Sequence, residues 1–283
     1  TMEAGLAPPV IQLALDTNCH VFAEKPACLS AREFDALTRH ADSKHRHLML
    51  ALANRSNSEI LAARQLIRSG KLGQIYGLEM HLVADQTRLT RPAYHRQWFA
   101  QRNRSGGGHL IWLGIHWLDL FAHYLGADPV SVHAVGQKQL LANWDSEGGD
   151  HKIDTFDAMQ VSVDYRDGLR VYYVNSWINP GEFEGAVNQE MELTGTRGKV
   201  EFDQQDRGLR ATISGLGSKT YNPHFTADIP RPGLEHAAYD GYGKDSIVAI
   251  THAAMEVSLG LSTAAELEDT YPTAKSSRSS IAV

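Results

Sequence analysis

The sequence has very little cysteine, with only Cys19 and Cys28 among its 283 residues. Two cysteines cannot form the disulfide framework that stabilises small secreted domains. A chain of this length builds an ample hydrophobic core without one, so we interpret both cysteines as small buried apolar side chains. Their scarcity favours a reduced, cytoplasmic setting.

Long apolar runs and clusters of positive charge are missing as well. No stretch approaches the roughly 18 apolar residues that span a bilayer, and the N-terminus lacks the basic and apolar regions of a secretory signal. Lysine and arginine number 27 against 33 acidic residues, for a net charge of −6, and no basic stripe carries interleaved aromatic residues. We therefore expect no nucleic-acid partner and no membrane-spanning segment.

The residues that are present predict an α/β protein in two parts. Hydrophobic residues make up 42% and charged residues 21% of the chain, which is typical of globular proteins. Helix-like and strand-like segments alternate up to Gly70, and this alternation predicts a parallel sheet. The predicted helices lie over 10–17, 30–43 and 56–69, and the strands over 20–23 and 47–52. We place the boundary at this point, which gives parts 1–70 and 71–283.

The second part shows a period of two residues instead. Leu78, Met80 and Leu82 alternate with polar residues, and segments 159–165 and 169–173 flank an Asp-Gly turn. Similar short segments continue up to residue 213. The pattern predicts an α+β domain with a large, mostly antiparallel sheet. Its covering helices are predicted over 109–125 and 246–261.

Glu24-Lys25-Pro26 is the first of three segments that could carry chemistry. It follows a predicted strand of the parallel part, where ligands of open α/β sheets bind. Partial burial would lower the pKa of the Lys25 ammonium and suit it to proton transfer. An ordinary surface lysine is the alternative.

The second segment is the helix after a run of three glycines at 106–108. Five of its residues fall within about 80° of each other on a helix: His109, Trp112, His116, Asp119 and His123. This spacing predicts one stripe that faces something polar, with core histidines bonded to backbone groups as the alternative. His116 and Asp119 stand at i and i+3, but no HExxH motif or cysteine pair accompanies them, so we expect no metal.

The third segment is the loop before that helix, whose residue types suit a polyhydroxylated ligand through stacking and forked hydrogen bonds. These residues are Arg91, Tyr94, His95, Trp98 and Arg102, with Trp177 and Asn179 as additions from a strand end. A separate glycine pair, at 215 and 217, leads into no predicted helix and indicates a turn.

Four segments resemble the Gfo/Idh/MocA oxidoreductases. His20–Pro26 is similar to the strand and EKP segment that places a lysine beside the nicotinamide, and Asn54-Arg55 is similar to the crossing into the second domain. Ser105–Leu120 resembles the active-site helix, and Gly195–Gly198 resembles the glycine turn of the large sheet. The four occur in the family's order over nearly the whole chain.

The resemblance implies an oxidoreductase that uses NAD or NADP on a sugar or cyclitol. Residues 1–70 would be the C-terminal half of a doubly wound, dinucleotide-binding Rossmann domain, and 71–283 a substrate-binding and oligomerisation domain of a homodimer or homotetramer. The implied site residues are Lys25 and His116 for catalysis, Glu24, Lys25 and Pro26 for the cofactor, and Arg55, Tyr94, Trp98, Trp112, Asp119 and Trp177 for the substrate.

Two departures from the family pattern leave alternatives open. Many members carry an aspartate where this chain has Trp112, and an indole cannot accept a proton or ligate a cation. The opening strand with GxGxxG is absent from the sequence, so we expect a truncated form. Whether this form is itself active is left open. An NAD-dependent glycosidase, a non-catalytic ligand-binding or oligomerisation module and a metal-dependent hydrolase are the alternative functions.

Overall fold

The computed structural model describes most of the chain as one small and one large sheet with their helices. A two-stranded sheet lies near the start, and an eight-stranded sheet follows. The described residues are 2–84, 97–126, 129–140, 154–166, 168–179, 187–203, 208–221, 242–268 and 271–282.

The first part alternates helices and strands as predicted. Strand β1 (Val21–Ala23) pairs in parallel with β2 (Leu48–Leu50), which confirms the parallel arrangement. The helices around them are α1 (Ala7–Asp16), α2 (Ala31–Ser43) and α3 (Ser58–Arg68). Each predicted element is present, with ends that shift by up to three residues.

Ser30 fixes the start of α2 and therefore the end of the loop that carries Lys25. Its side-chain oxygen accepts a hydrogen bond from the backbone N–H of Glu33 at 3.2 Å, as the capping motif predicts. The Glu33 carboxylate accepts from the backbone N–H of Leu29 at 3.1 Å rather than from that of Ser30. Such caps satisfy N–H groups that have no partner inside the helix.

The second part is built on the large sheet, whose strand order is β10-β9-β8-β7-β3-β6-β5-β4. All neighbouring strands are antiparallel except β3 and β6, which confirms the mostly antiparallel prediction. The strands are β3 (Ile75–Ala84), β4 (Pro129–Gln137), β5 (Ala158–Tyr165), β6 (Arg170–Ser176), β7 (Val187–Gly195), β8 (Gly198–Asp203), β9 (Gly208–Ile213) and β10 (Gly217–Tyr221). The helices are α4 (Arg102–Ser105), α5 (Ile115–Leu125), α6 (Tyr242–Ser258), α7 (Ala264–Leu267) and α8 (Arg278–Ala282), with a π-helical turn at Leu110–Gly114.

One face of the large sheet is covered, and the described residues leave the other face exposed. Leu78, Met80 and Leu82 of β3 are buried in a core that includes Trp117 and Phe121 of α5. The residues between them point to the opposite face and are exposed. This is the period-two pattern expected of a sheet with helices on one side.

Gly195 and the turn after it place β7 against the start of β3. A Cβ atom at Gly195 would collide with the carbonyl oxygen of Leu72, so only glycine fits this close approach. The next glycine segment, Gly215–Gly217, forms the turn between β9 and β10, as the sequence predicts.

The two parts share elements at their junction. Ile60 of α3 packs in the core of the large sheet, whereas Ile115 of α5 and Ala274 pack in the core of the small sheet. The boundary at residue 70 therefore stays a prediction. Cys28 is buried as expected, but Cys19 is exposed, because it lies in the turn after α1.

Candidate active site

The segment Glu24-Lys25-Pro26 lies at the carboxyl end of β1. The backbone N–H of Ala51, which follows β2, bonds to the carbonyl oxygen of Ala23 at 2.9 Å. Because parallel strands end at the same edge, this bond brings the segments after β1 and β2 side by side. Lys25 and Asn54 thereby line the same cavity.

That cavity has a volume of about 300 Å³ and brings together Lys25 and His116, the two predicted catalytic residues. Small-molecule sites are typically concave, with a few convergent polar groups. The polar side chains that line it are Glu24, Lys25, Asn54, His116, Gln189 and Ser246, and the apolar ones include Phe22, Leu113, Trp117 and Ile247.

Lys25 has an environment suited to proton transfer. Burial lowers the pKa of its ammonium to about 8, and the charge of Glu24 acts in the opposite direction. The ammonium Nζ donates a hydrogen bond to the carbonyl oxygen of Trp112 and lies 5.5 Å from the centroid of the Trp112 ring. A lysine pKa near neutrality allows the side chain both to hold and to release a proton.

His116 supplies a neutral imidazole to the same cavity. Burial holds the pKa of His116 well below its usual value, and the charge of Lys25 lowers it further. Its Nδ1 atom is buried and has no hydrogen-bond partner among the described residues. The cavity therefore combines one ammonium group with one uncharged ring that can accept a proton.

A buried hydrogen-bonded chain lies beneath the π-helical turn. His109 Nδ1 is 3.0 Å from Asn175 Oδ1, and Asn175 Nδ2 donates to the hydroxyl of Tyr173 at 2.8 Å. Burial lowers the pKa of His109 to about 3, with the Asn175 bond opposing and Lys25 adding to the shift. His109 is thus a neutral core histidine that bonds to a side chain of β6 through Nδ1, whereas its buried Nε2 has no hydrogen-bond partner among the described residues.

Three of the predicted substrate residues are indoles that gather in one aromatic cluster. The ring centroid of Phe99 lies 4.1 Å from that of Trp98 and 4.4 Å from that of Trp112. Trp177 is buried at 1% exposure and contacts His109 edge-on at 5.4 Å. Because Trp112 also contacts Lys25, this cluster adjoins the cavity. The predicted Tyr94, with Arg91 and His95, lies outside the described residues.

Arg55 and Asp119 do not join Lys25 and His116. They form a buried ion pair, with Arg55 Nε 2.7 Å and Nη2 2.5 Å from the two carboxylate oxygens of Asp119. Ser280 donates to the same carboxylate at 2.8 Å, and Ser276 accepts from the guanidinium at 2.9 Å. These contacts favour a structural role for the pair instead of the predicted contact with a substrate.

The single polar stripe predicted for the helix is wrong, because different elements cover it along its length. His109 faces β6, His116 faces the Lys25 cavity and Asp119 faces Arg55. His123 lines a separate cavity of about 710 Å³. Burial lowers the pKa of His123 to about 2, together with nearby arginines of which Arg55 acts most strongly.

Sequence reasoning missed Gln189 and Ser246, which line the Lys25 cavity from β7 and α6. Neither position carries a local signal, since both reach the cavity only through the packing of distant elements. Asn54 was noted as part of the domain crossing, and its place directly after β2 was a usable signal.

No group of three or more His, Cys, Asp or Glu side chains is placed to hold a metal ion within the described part of the chain. Across the same residues, every helix is too short or too polar to span a membrane.

A small parallel sheet and a large, mostly antiparallel sheet, with Lys25 and His116 lining one cavity, define the class of α/β protein to which the chain belongs. The particular family follows from the sequence of the second part. A family model described as GFO/IDH/MocA C-terminal domain matches residues 60–201, and the chain belongs to this family.

Individual relatives agree with this assignment. An uncharacterised oxidoreductase of Schizosaccharomyces pombe is 32% identical over 75% of this chain and 56% of its own length. The scyllo-inositol 2-dehydrogenase (NADP(+)) of Bacillus subtilis is 24% identical over 81% of this chain and 57% of its own length. The chain therefore spans little more than half the length of these curated relatives.

Solved structures show the same fold. An inositol dehydrogenase homologue from Azotobacter vinelandii, complexed with NAD+, superposes with a TM-score of 0.78 at 18% sequence identity. The match covers 99% of this chain and 72% of that one. Both sheets of the present protein are therefore part of a shared architecture.

Proposed function

We propose that the protein is an NAD(P)-dependent oxidoreductase that transfers a hydride between a nicotinamide cofactor and a hydroxyl or keto group of a sugar or cyclitol. The observation that carries the proposal is the shared cavity of Lys25 and His116 at the end of β1. Support comes from the relatives, which include a scyllo-inositol dehydrogenase and a structure with NAD+ bound.

The residues at the strand end fit the nicotinamide end of such a cofactor. Glu24, Lys25 and Pro26 leave β1 where open α/β sheets bind nucleotides, and the cavity beside them is near the lower limit of small-ligand sites. The sequence contains no GxGxxG turn to hold a pyrophosphate. We therefore assign only the nicotinamide end to these three residues.

When bound, the cofactor would supply the hydride transfer. The side chains of this chain would accept or donate the proton. The neutral His116 ring has a free nitrogen to accept the proton of a substrate hydroxyl, while the Lys25 ammonium stabilises the negative charge that develops on the oxygen. In the reverse direction both groups are able to return a proton to the new hydroxyl. Such general acid–base assistance is typically worth about 10² to 10⁴ in rate.

The aromatic cluster supplies the wall against which a sugar ring would stack. Trp98 and Trp112 are partly exposed, and Trp112 contacts Lys25 of the cavity, whereas Trp177 is buried in the same cluster. Carbohydrate rings present C–H faces that pack well on indole. We keep Trp98, Trp112 and Tyr94 as proposed substrate residues and give Trp177 a supporting position.

Fluorescence titration of NADH and NADPH into the chain tests cofactor binding, beside a version extended upstream through a glycine-rich turn. Whichever form binds is then assayed for oxidation of cyclitols and sugars. We expect Lys25→Met to reduce the oxidation rate by about 10² or more and the exposed control Lys71→Met to leave it unchanged. Failure of both forms to bind either nucleotide would refute the proposal in favour of a non-catalytic module, and release of a free sugar without a keto product would indicate a glycosidase.

We also propose that the open face of the large sheet is covered in a homo-oligomer. Tyr172 and Val135 lie on this face at 52% and 57% exposure, and wide sheets seldom leave such side chains in water. Light scattering that shows a monomer at micromolar concentration would contradict this.

A further inference from the structure

Trp112 makes two contacts with Lys25, one through its backbone and one through its ring. The Lys25 ammonium donates a hydrogen bond to the Trp112 carbonyl oxygen. The same Nζ atom lies 5.5 Å from the centroid of the indole, within the range of a cation–π interaction. A single residue therefore contacts the ammonium from two sides.

The local structure holds Trp112 in this position. The residue lies in the π-helical turn Leu110–Gly114, and short π-helical turns are frequent at functional sites. Its ring packs on Phe99 at 4.4 Å and lies 6.3 Å from the ring of His109. These contacts limit the rotation of the indole and keep its face towards Lys25.

Few other charged groups are available to hold the ammonium. Among the described residues that line the cavity, the titratable groups are Glu24, Lys25 and His116. The Glu24 carboxylate accepts from the backbone N–H of Lys25 at 3.0 Å, and it is exposed. His109, behind the π-helical turn, and His116 are both neutral near pH 7 because burial lowers their pKa values.

We propose that Trp112 is a positioning residue for Lys25, whose ammonium is held by the carbonyl oxygen and the indole face together. Neither contact can take up a proton, so a proton leaving Lys25 passes to the substrate, His116, Glu24 or water. The catalytic consequence rests on the proposed function, but the positioning itself does not.

The test measures the titration of Lys25 directly, without cofactor or substrate. The chain is treated with trace acetic anhydride across a pH range, and acetylation of Lys25 is quantified by mass spectrometry against the exposed Lys71. Only the uncharged amine reacts, so the midpoint reports the pKa of Lys25. Trp112→Leu keeps an apolar cover over the ammonium and removes the ring, and Trp112→Phe keeps a weaker ring.

We expect Trp112→Leu to lower the midpoint by about one pH unit, because a partly desolvated cation–π contact favours the charged form by roughly that amount. Trp112→Phe should lower it less, since indole is the strongest partner. The control Trp98→Leu removes a ring from the same aromatic cluster and should leave the midpoint unchanged.

A midpoint that stays the same or rises in Trp112→Leu would overturn the inference, because the ring would then act only as a cover against water. If that variant does not fold, Trp112→Phe decides by the direction of its own shift. The labelling result does not depend on dehydrogenase activity. If the proposed function is refuted, the positioning of Lys25 by Trp112 still stands. If the labelling refutes the positioning, the proposed function is unaffected.

Discussion

Removal of one partner from the buried ion pair between Arg55 and Asp119 should be one of the most destabilising single substitutions in this protein. The two side chains are 3% and 1% exposed, and the pair joins the segment after β2 to α5. Ser276 and Ser280 extend it to the C-terminal residues. Breaking it therefore loosens three segments at once.

Asp119→Asn keeps the shape of the side chain but leaves the Arg55 guanidinium buried without its counter-charge. Removing one partner of a buried pair typically costs about 3 to 5 kcal/mol, and we expect a loss of that size in the free energy of unfolding. Urea denaturation followed by tryptophan fluorescence measures it as a fall in the midpoint at constant slope.

Two variants accompany this experiment. The control Asp164→Asn breaks an exposed pair with Arg170, whose Nε lies 2.5 Å from the carboxylate, and should give no resolvable change because surface pairs contribute little. The double variant Arg55→Met with Asp119→Leu should recover part of the loss, since no charge is left buried. If Asp119→Asn shifts the midpoint no more than Asp164→Asn, the structural role assigned to the pair is wrong.

Two further predictions concern buried groups. Burial raises the pKa of the Glu59 carboxyl to about 7, and the charge of Asp203 adds to the effect. The folded state therefore binds this proton more tightly than the unfolded state does. The free energy of unfolding should then fall as pH rises from about 4.5 to 7. Glu59→Gln should flatten that dependence in urea titrations at several pH values, and an unchanged slope would contradict the assignment. A Cβ atom at Gly114 would lie 2.8 Å from the Tyr173 hydroxyl, so Gly114→Ala should cost about 1 to 3 kcal/mol by overpacking. Thermal unfolding measures this loss, and the control Gly243→Ala, where the added atom meets open space, should show none.

The Lys25 and Trp112 experiments address different levels of the site. Loss of oxidation in Lys25→Met tests the chemistry, whereas the acetylation midpoint in Trp112 variants tests the geometry that prepares Lys25 for it. Together they distinguish the proposed role of Lys25, which exchanges a proton, from that of Trp112, which holds the Lys25 ammonium in place.

Local patterns in the sequence were enough for the elements, whereas the catalytic roles predicted for Lys25 and His116 came from the resemblance to the family. Alternating segments before Gly70 predicted the parallel strands, and period-two segments after it predicted the antiparallel sheet. The place of Lys25 after a strand and that of His116 on the helix after a glycine run made both residues candidates, and the resemblance then paired them. In each case the signal lies within a few neighbouring residues.

The tertiary structure alone decided how those elements meet. The partners of the Arg55 ion pair are 64 positions apart, and the Lys25 contact with Trp112 spans 87 positions. A helical wheel placed His109, His116 and Asp119 on one stripe, but three different elements cover that stripe. Helical periodicity is a property of neighbouring residues, whereas burial and charge pairing depend on whatever distant segment packs against each turn, and no local pattern contains that information.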